Sequence, residues 1–96
     1  MTVCVWTVTK DPQAKLPYSL DWSQVLSQLG GAVTITSSTW SVQVGITKDS
    51  DSFTSLNATV RLSGGAAGTD YEVTNHVVFS DGSEDERTIL IMVRER

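Results

Sequence analysis

The side chains that could serve nucleophilic or acid–base chemistry are few in this chain. His76 is the single histidine and Cys4 the single cysteine. A nucleophilic serine needs a base beside it. Ser80 and Asp81 lie near His76 in sequence, but a predicted turn explains both of them. We therefore interpret His76 as a surface or sheet-packing imidazole and Cys4 as a buried or half-buried thiol. Of the three functions considered for this chain, a hydrolase is the weakest hypothesis.

The carboxylates form two clusters, which fall in predicted loops over residues 47–52 and 81–86. Carboxylates in loops are usually solvated, and nothing in the pattern indicates a desolvated pair for catalysis. Asp49-x-Asp51 lacks the glycine and closing glutamate of a calcium loop, so calcium binding by either loop is the weaker alternative. One cysteine and one histidine are too few for zinc. The sequence predicts no metal, no cofactor and no catalytic residue.

The length, net charge and cysteine count of the chain limit the kinds of partner that we expect it to bind. The chain has 96 residues and a formal net charge of −4, which predicts one domain over residues 1–96. An acidic domain lacks the basic surface that binds nucleic acid or anionic membranes. A single cysteine excludes an internal disulfide and favours a reducing compartment. No secretory signal or membrane-spanning run is apparent.

One short helix is predicted near residues 21–29. Asp21 has the residue type of a helix N-cap, and Gln24 is placed to complete a capping box. Gly30-Gly31 follows as a stop signal. Leu16-Pro17-Tyr18, before the helix, is predicted to be an extended edge segment.

Alternating apolar and polar residues predict strands in the rest of the chain. Trp40, Val42 and Val44 are predicted to face inward, with a bend at residues 37–39 before them. Asp81-Gly82 is typical of a hairpin turn. The predicted strands cover residues 2–9, 32–35, 40–44, 58–63, 71–79 and 88–93. This pattern predicts an all-β, immunoglobulin-like antiparallel sandwich of six to seven strands with one short helix.

Two further predictions concern Tyr71 and the three tryptophans. Tyr71 follows the glycine-rich stretch 64–68 and is either a tyrosine corner, hydrogen-bonded back to the preceding loop, or an ordinary core aromatic. Among the three tryptophans, Trp6 and Trp40 fall on predicted strands, and Trp40 is expected in the core. Trp22 is expected to be partly exposed, as an anchor at a protein interface or as a platform for carbohydrate.

Four stretches of the chain resemble the fiber-tail adaptor proteins of tailed bacteriophages. They cover residues 10–95, and the chain departs from the family pattern at Pro17 and Ser83. The stretches are Lys10-Asp11-Pro12 with Tyr18, Asp21-Trp22-Ser23 and Leu26; Ser37-Ser38-Thr39-Trp40; Leu62-Ser63-Gly64-Gly65 with Gly68 and Tyr71-x-Val73-Thr74-Asn75; and Ser80-Asp81-Gly82 with Asp85-Glu86-Arg87-Thr88 and Val93-Arg94-Glu95.

The resemblance implies a virion structural protein that joins the tail tube or nozzle to the tail fiber. It implies several copies in a ring-like assembly, formed in the host cytoplasm, with tail and fiber proteins as partners. It implies no catalysis. The alternative is a carbohydrate- or receptor-binding module of the same fold. The candidate docking or structural residues are Asp21, Trp22, Trp40, Gly64, Gly65, Gly68 and Tyr71.

Overall fold

The computed structural model describes residues 4–30 and 32–94, and its account of the side chains begins at Thr7. The prediction for the Cys4 thiol concerns a side chain outside that account. The described residues form seven strands and one short helix, which confirms the predicted all-β class. The elements are β1 (Cys4–Lys10), β2 (Leu16–Asp21), α1 (Ser23–Gln28), β3 (Ile35–Val42), β4 (Ile46–Phe53), β5 (Asn57–Gly64), β6 (Asp70–Phe79) and β7 (Glu84–Val93).

The strands form two sheets, in the orders β1-β7-β6-β3 and β2-β5-β4. Every pair is antiparallel except β1 with β7, which is parallel. The prediction of a fully antiparallel sandwich is therefore wrong at this edge, because β1 pairs with the last described strand and not with a hairpin partner. If the strands are lettered A to G in chain order, the sheets are BED and AGFC. Constant-type immunoglobulin domains have ABED and CFG, so only the first strand differs, and the order supports the immunoglobulin-like prediction.

The core lies between the sheets, and most of its residues come from one face of β2, β5, β6 and β7. In β5 the inward residues Ala58, Val60 and Leu62 are fully buried, as the alternation predicts. The inward face of β6 is likewise buried, whereas His76 lies on its outer face, as predicted. The buried residues of β6 are Tyr71, Val73, Asn75, Val77 and Phe79. These central strands are correctly predicted because only one of their faces is covered.

The region from residue 32 to residue 45 differs from the prediction. A single strand, β3, replaces the two predicted strands, and the expected bend is a register shift between Ile35 and Ser37. A β-bulge of this kind bends a strand without ending it. Val44, predicted to face inward, is 97% exposed. The strand has already ended at Val42, and Gly45, with a φ of 112°, completes the turn into β4.

The first predicted acidic loop is strand throughout, and the second is strand in its latter half. Residues 47–52 lie inside β4, and residues 84–86 open β7. β4 is an edge strand, paired only with β5, and all its residues after Ile46 are exposed. Because β4 has no buried face, its sequence does not alternate between apolar and polar residues. Its composition therefore resembles that of a loop, although its backbone is hydrogen-bonded to β5. The turn predicted at residues 80–83 is present, with Phe79 N donating to Ser83 O at 2.8 Å.

The helix is shorter than predicted and is not capped by the predicted residues. It spans Ser23–Gln28, and Trp22 occupies the N-cap position without a capping side-chain hydrogen bond. Asp21 is the last residue of β2, and its Oδ1 accepts a hydrogen bond from Ser23 N at 2.8 Å. The predicted capping box is therefore wrong. No helix among the described residues is long and apolar enough to span a membrane.

Candidate functional site

Trp22 lies in the core, which contradicts the prediction that it is partly exposed. Its exposure is 0%, and its backbone N donates to Leu56 O at 2.9 Å. Its ring meets the Phe79 ring edge-on, with centroids 6.0 Å apart, and the Arg87 guanidinium lies 4.4 Å from its centroid. A cation over an indole face stabilises the fold. The local sequence places Trp22 beside an exposed carboxylate, whereas the contacts that bury it come from strands far along the chain.

Asn75 is the polar centre around which Trp22 packs. The Trp22 Nε1 donates to Asn75 Oδ1 at 3.0 Å, and this pair is buried. The Asn75 Nδ2 donates to Ser38 Oγ at 2.9 Å and to Thr39 O at 3.0 Å. Each polar atom of a fully buried amide is thus paired, as burial requires. The network joins β6, β3 and the residue before α1, and we call it the Asn75 network.

Asn75 was not among the candidate site residues chosen from the sequence. The signal for it is nevertheless visible, because Asn75 occupies an inward position in an otherwise apolar and aromatic alternation. Burying an amide there costs free energy unless it is hydrogen-bonded. An inward asparagine therefore predicts a buried polar network, although the sequence does not identify its partners.

A second cluster lies at the opposite end of the sandwich, around Tyr71. The Tyr71 Oη accepts a hydrogen bond from Ala66 N at 2.9 Å, which is the contact expected of a tyrosine corner. A Cβ on Gly65 would lie 2.7 Å from Val93 Cγ2, and a Cβ on Gly45 would lie 2.7 Å from Tyr71 Cε1. The two glycines therefore let backbone lie directly against the Tyr71 ring and β7.

Lys10 completes this cluster and was missed by the sequence reasoning. Its exposure is 0%, and its Nζ donates to Gly64 O at 2.7 Å and to Asp11 O at 2.9 Å. Burial lowers the pKa of Lys10, and the charges of Asp11 and Asp49 oppose this shift. The signal in the sequence is that Lys10 continues the face of β1 that carries Val8.

The candidate residues thus divide between two separate places. Trp22 lies in the Asn75 network, and Trp40, 6% exposed, pairs with Asn75 in register. Gly64, Gly65 and Tyr71 belong to the second cluster. The buried aromatic side chains hold the sandwich together, and a partner cannot reach them without unfolding it. The candidates that lie at the surface are Asp21, Gly64 and Gly68.

His76 has polar partners but no enclosed site. Its Nε2 lies 2.8 Å from Glu84 Oε1 and its Nδ1 lies 3.5 Å from Glu86 Oε2. The hydrogen bond to Glu84, with a smaller contribution from Glu86, raises the pKa of His76. All three side chains are on the open outer face of the β6–β7 hairpin.

The part of the chain that the structure describes has no pocket. Nor do residues 4–30 and 32–94 contain three or more His, Cys, Asp or Glu side chains grouped to hold a metal ion.

The stretches that carry the resemblance meet in these two clusters. The Asn75 network unites Trp22, Ser38 and Asn75, and the other cluster unites Gly65 with Tyr71. No curated protein is significantly similar to the chain in sequence. The family described as podophage GP4 fiber-tail adaptor protein gp77 matches residues 10–92, and since this is most of the chain, the protein belongs to that family.

Proposed function

We propose that this protein connects the tail of a podophage to its tail fiber through protein–protein contacts. The observation that carries the proposal is the family match over residues 10–92. In this function the protein sits between the tail tube or nozzle and the fiber, in several copies arranged as a ring. It is assembled in the host cytoplasm, becomes part of the virion and catalyses no reaction.

The shape of the molecule supports a connector with two contact surfaces. Its principal extents are 43 × 24 × 20 Å, so the two ends of the sandwich are far enough apart for different partners. The helix end contains α1, the β4–β5 connection and the β6–β7 turn. The glycine end contains the β1–β2 and β3–β4 connections and the loop 64–68.

The interior supports a rigid connector. The Asn75 network fixes β3, β6 and the start of α1, and the Lys10 ammonium fixes β1 to the end of β5. Hydrogen bonds between buried groups strongly favour one arrangement of the strands, because breaking any of them leaves a polar group unpaired in the core. A rigid domain of this kind holds its two partners in a fixed position relative to each other.

The carbohydrate-binding alternative depended on an exposed Trp22. With that side chain 0% exposed, no described tryptophan offers an open ring face at the helix, and the adaptor is the function that we retain.

Two measurements test the adaptor proposal. Mass spectrometry of purified virions is expected to detect the protein, and fractionation of the particles is expected to recover it with tail components. In a second experiment the chain is co-expressed with the tail and fiber proteins of the same phage and analysed by size-exclusion chromatography with light scattering. A stable complex with one of them, or a multimer of the chain, supports the proposal. Absence from virions together with a monomer that binds neither protein contradicts it.

A further inference from the structure

The charges of the described residues are distributed unequally along the molecule. Away from the helix end, basic and acidic residues are equal in number: Lys10, Lys15, Lys48, Arg61 and Arg94 against Asp11, Asp49, Asp51, Asp70 and Glu72. At the helix end a single basic residue, Arg87, accompanies five carboxylates: Asp21, Asp81, Glu84, Asp85 and Glu86. The net negative charge of the described chain therefore resides at one end.

Arg87 and His76, at that end, already have partners within the molecule. Arg87 lies over the Trp22 ring and donates to Asp21 O at 3.4 Å. His76 lies between Glu84 and Glu86. The carboxylates of Asp21 and Asp81 accept backbone hydrogen bonds from Ser23 and Ser83, which lower their pKa values. The helix end therefore keeps its negative charge at neutral pH.

Exposed apolar side chains lie at the same end. Leu29 follows α1 and is 37% exposed, Phe53 ends β4 and is 43% exposed, and Leu56 is 45% exposed. The Leu56 carbonyl accepts the Trp22 N–H, which places Leu56 beside the start of α1. Apolar residues with polar residues around them are the usual composition of a protein interface.

We propose that the helix end is a docking surface for a tail or fiber protein that presents an apolar centre surrounded by lysine and arginine. This inference rests on the proposed adaptor function and adds which end docks and what chemistry its partner has. Leu29, Phe53 and Leu56 supply the apolar contact. The carboxylates from residue 81 to residue 86 attract the basic rim, which raises the association rate and makes it sensitive to salt.

The charge component is tested with two double variants that change the charge equally. Asp85→Lys with Glu86→Lys reverses charge at the helix end, and Asp70→Lys with Glu72→Lys does so at the glycine end. All four positions are exposed and on strands. Binding of each variant to the purified tail and fiber proteins is measured by biolayer interferometry at low and high salt. The helix-end variant is expected to bind about tenfold or more weakly than the wild type at low salt, with a smaller difference at high salt because ions screen the rim.

The apolar component is tested with a second matched pair. Phe53→Ser with Leu56→Ser is expected to weaken binding at both salt concentrations, whereas Leu16→Ser with Val44→Ser at the glycine end leaves that partner's affinity unchanged. Thermal melting of all four variants confirms that they are folded. If the wild type binds and both helix-end variants bind equally well, the docking surface is wrong and the adaptor function stands. If the wild type binds neither protein, the adaptor function fails and the inference fails with it.

Discussion

Replacing Trp22 with Phe removes one buried hydrogen-bond donor and keeps an aromatic ring at the same position. The Asn75 Oδ1, which accepts from the Trp22 Nε1 at 3.0 Å, is then left without that donor in the core. An unpaired buried acceptor costs about 1–3 kcal/mol. The smaller ring adds about 1–2 kcal/mol for the space it leaves, and the weaker attraction to the Arg87 guanidinium adds about 0.5 kcal/mol. The expected loss in the free energy of unfolding is therefore about 2.5–5.5 kcal/mol.

Trp40 provides a matched control for this substitution. Its side chain is also buried, at 6% exposure, but its Nε1 has no hydrogen-bond acceptor among the described residues. Trp40→Phe makes the same chemical change and removes a donor that was unpaired. It is expected to cost only the packing contribution, about 1–2 kcal/mol.

The two variants are compared by urea unfolding followed by far-UV circular dichroism, because the substitutions themselves change tryptophan fluorescence. A difference of about 1 kcal/mol shifts the melting temperature of a domain of this size by roughly 4–8 °C, so thermal melting provides a second readout. Equal destabilisation of the two variants, within about 0.5 kcal/mol, would refute the argument that the Asn75 hydrogen bond stabilises the fold.

Four other substitutions, one of them a control, test the second cluster and the histidine. Gly65→Ala is expected to lower the melting temperature more than Gly68→Ala: both glycines have positive φ, but a Cβ contacts β7 only at Gly65, and equal losses would contradict this. Tyr71→Phe removes the hydrogen bond to the loop and is expected to cost about 1 kcal/mol in urea unfolding; no loss would show that the tyrosine corner is not stabilising. The pKa of His76 is raised in the folded state, mainly by the hydrogen bond to Glu84. Its stabilising contribution is therefore complete below the unfolded pKa of 6.5 and is lost as pH rises through the folded pKa. Glu84→Gln is expected to lower the pKa of this single histidine in an NMR titration, and an unchanged pKa would contradict the assignment.

The sequence predicts best the strands that have one buried face. β5 and β6 alternate between core and surface, and that alternation is a local property. The same pattern does not predict β4, because its backbone pairs with β5 while its side chains after Ile46 are exposed. Edge strands often carry charge, which discourages pairing with other chains. The Lys48–Asp51 ion pair on β4, at 2.7 Å, is of this kind.

The candidate site residues divide in the same way. Some are positioned by residues close in sequence and others by residues far along the chain. Two roles are predicted for Tyr71, and its hydrogen bond to the preceding loop supports the tyrosine corner. This contact was predictable because it spans only five residues of the sequence. Trp22 was placed incorrectly because its partner Asn75 is 53 positions away. Lys10 was overlooked because its acceptor, the Gly64 carbonyl, belongs to another strand in the second sheet. Long-range pairing of polar groups is set by the assembled fold.

The parallel pairing of β1 with β7 determines the order in which the fold is completed during translation. β1 leaves the ribosome about 80 residues before its partner, which at 5–20 residues per second is a delay of roughly 4–16 s. Residues 4–9 contain no charged side chain, and through this interval they have no strand to pair with. Unpaired strand edges in partly folded chains are prone to aggregation. We therefore expect slower translation between residues 11 and 84 to leave β1 unpaired for longer and to lower the yield of folded protein.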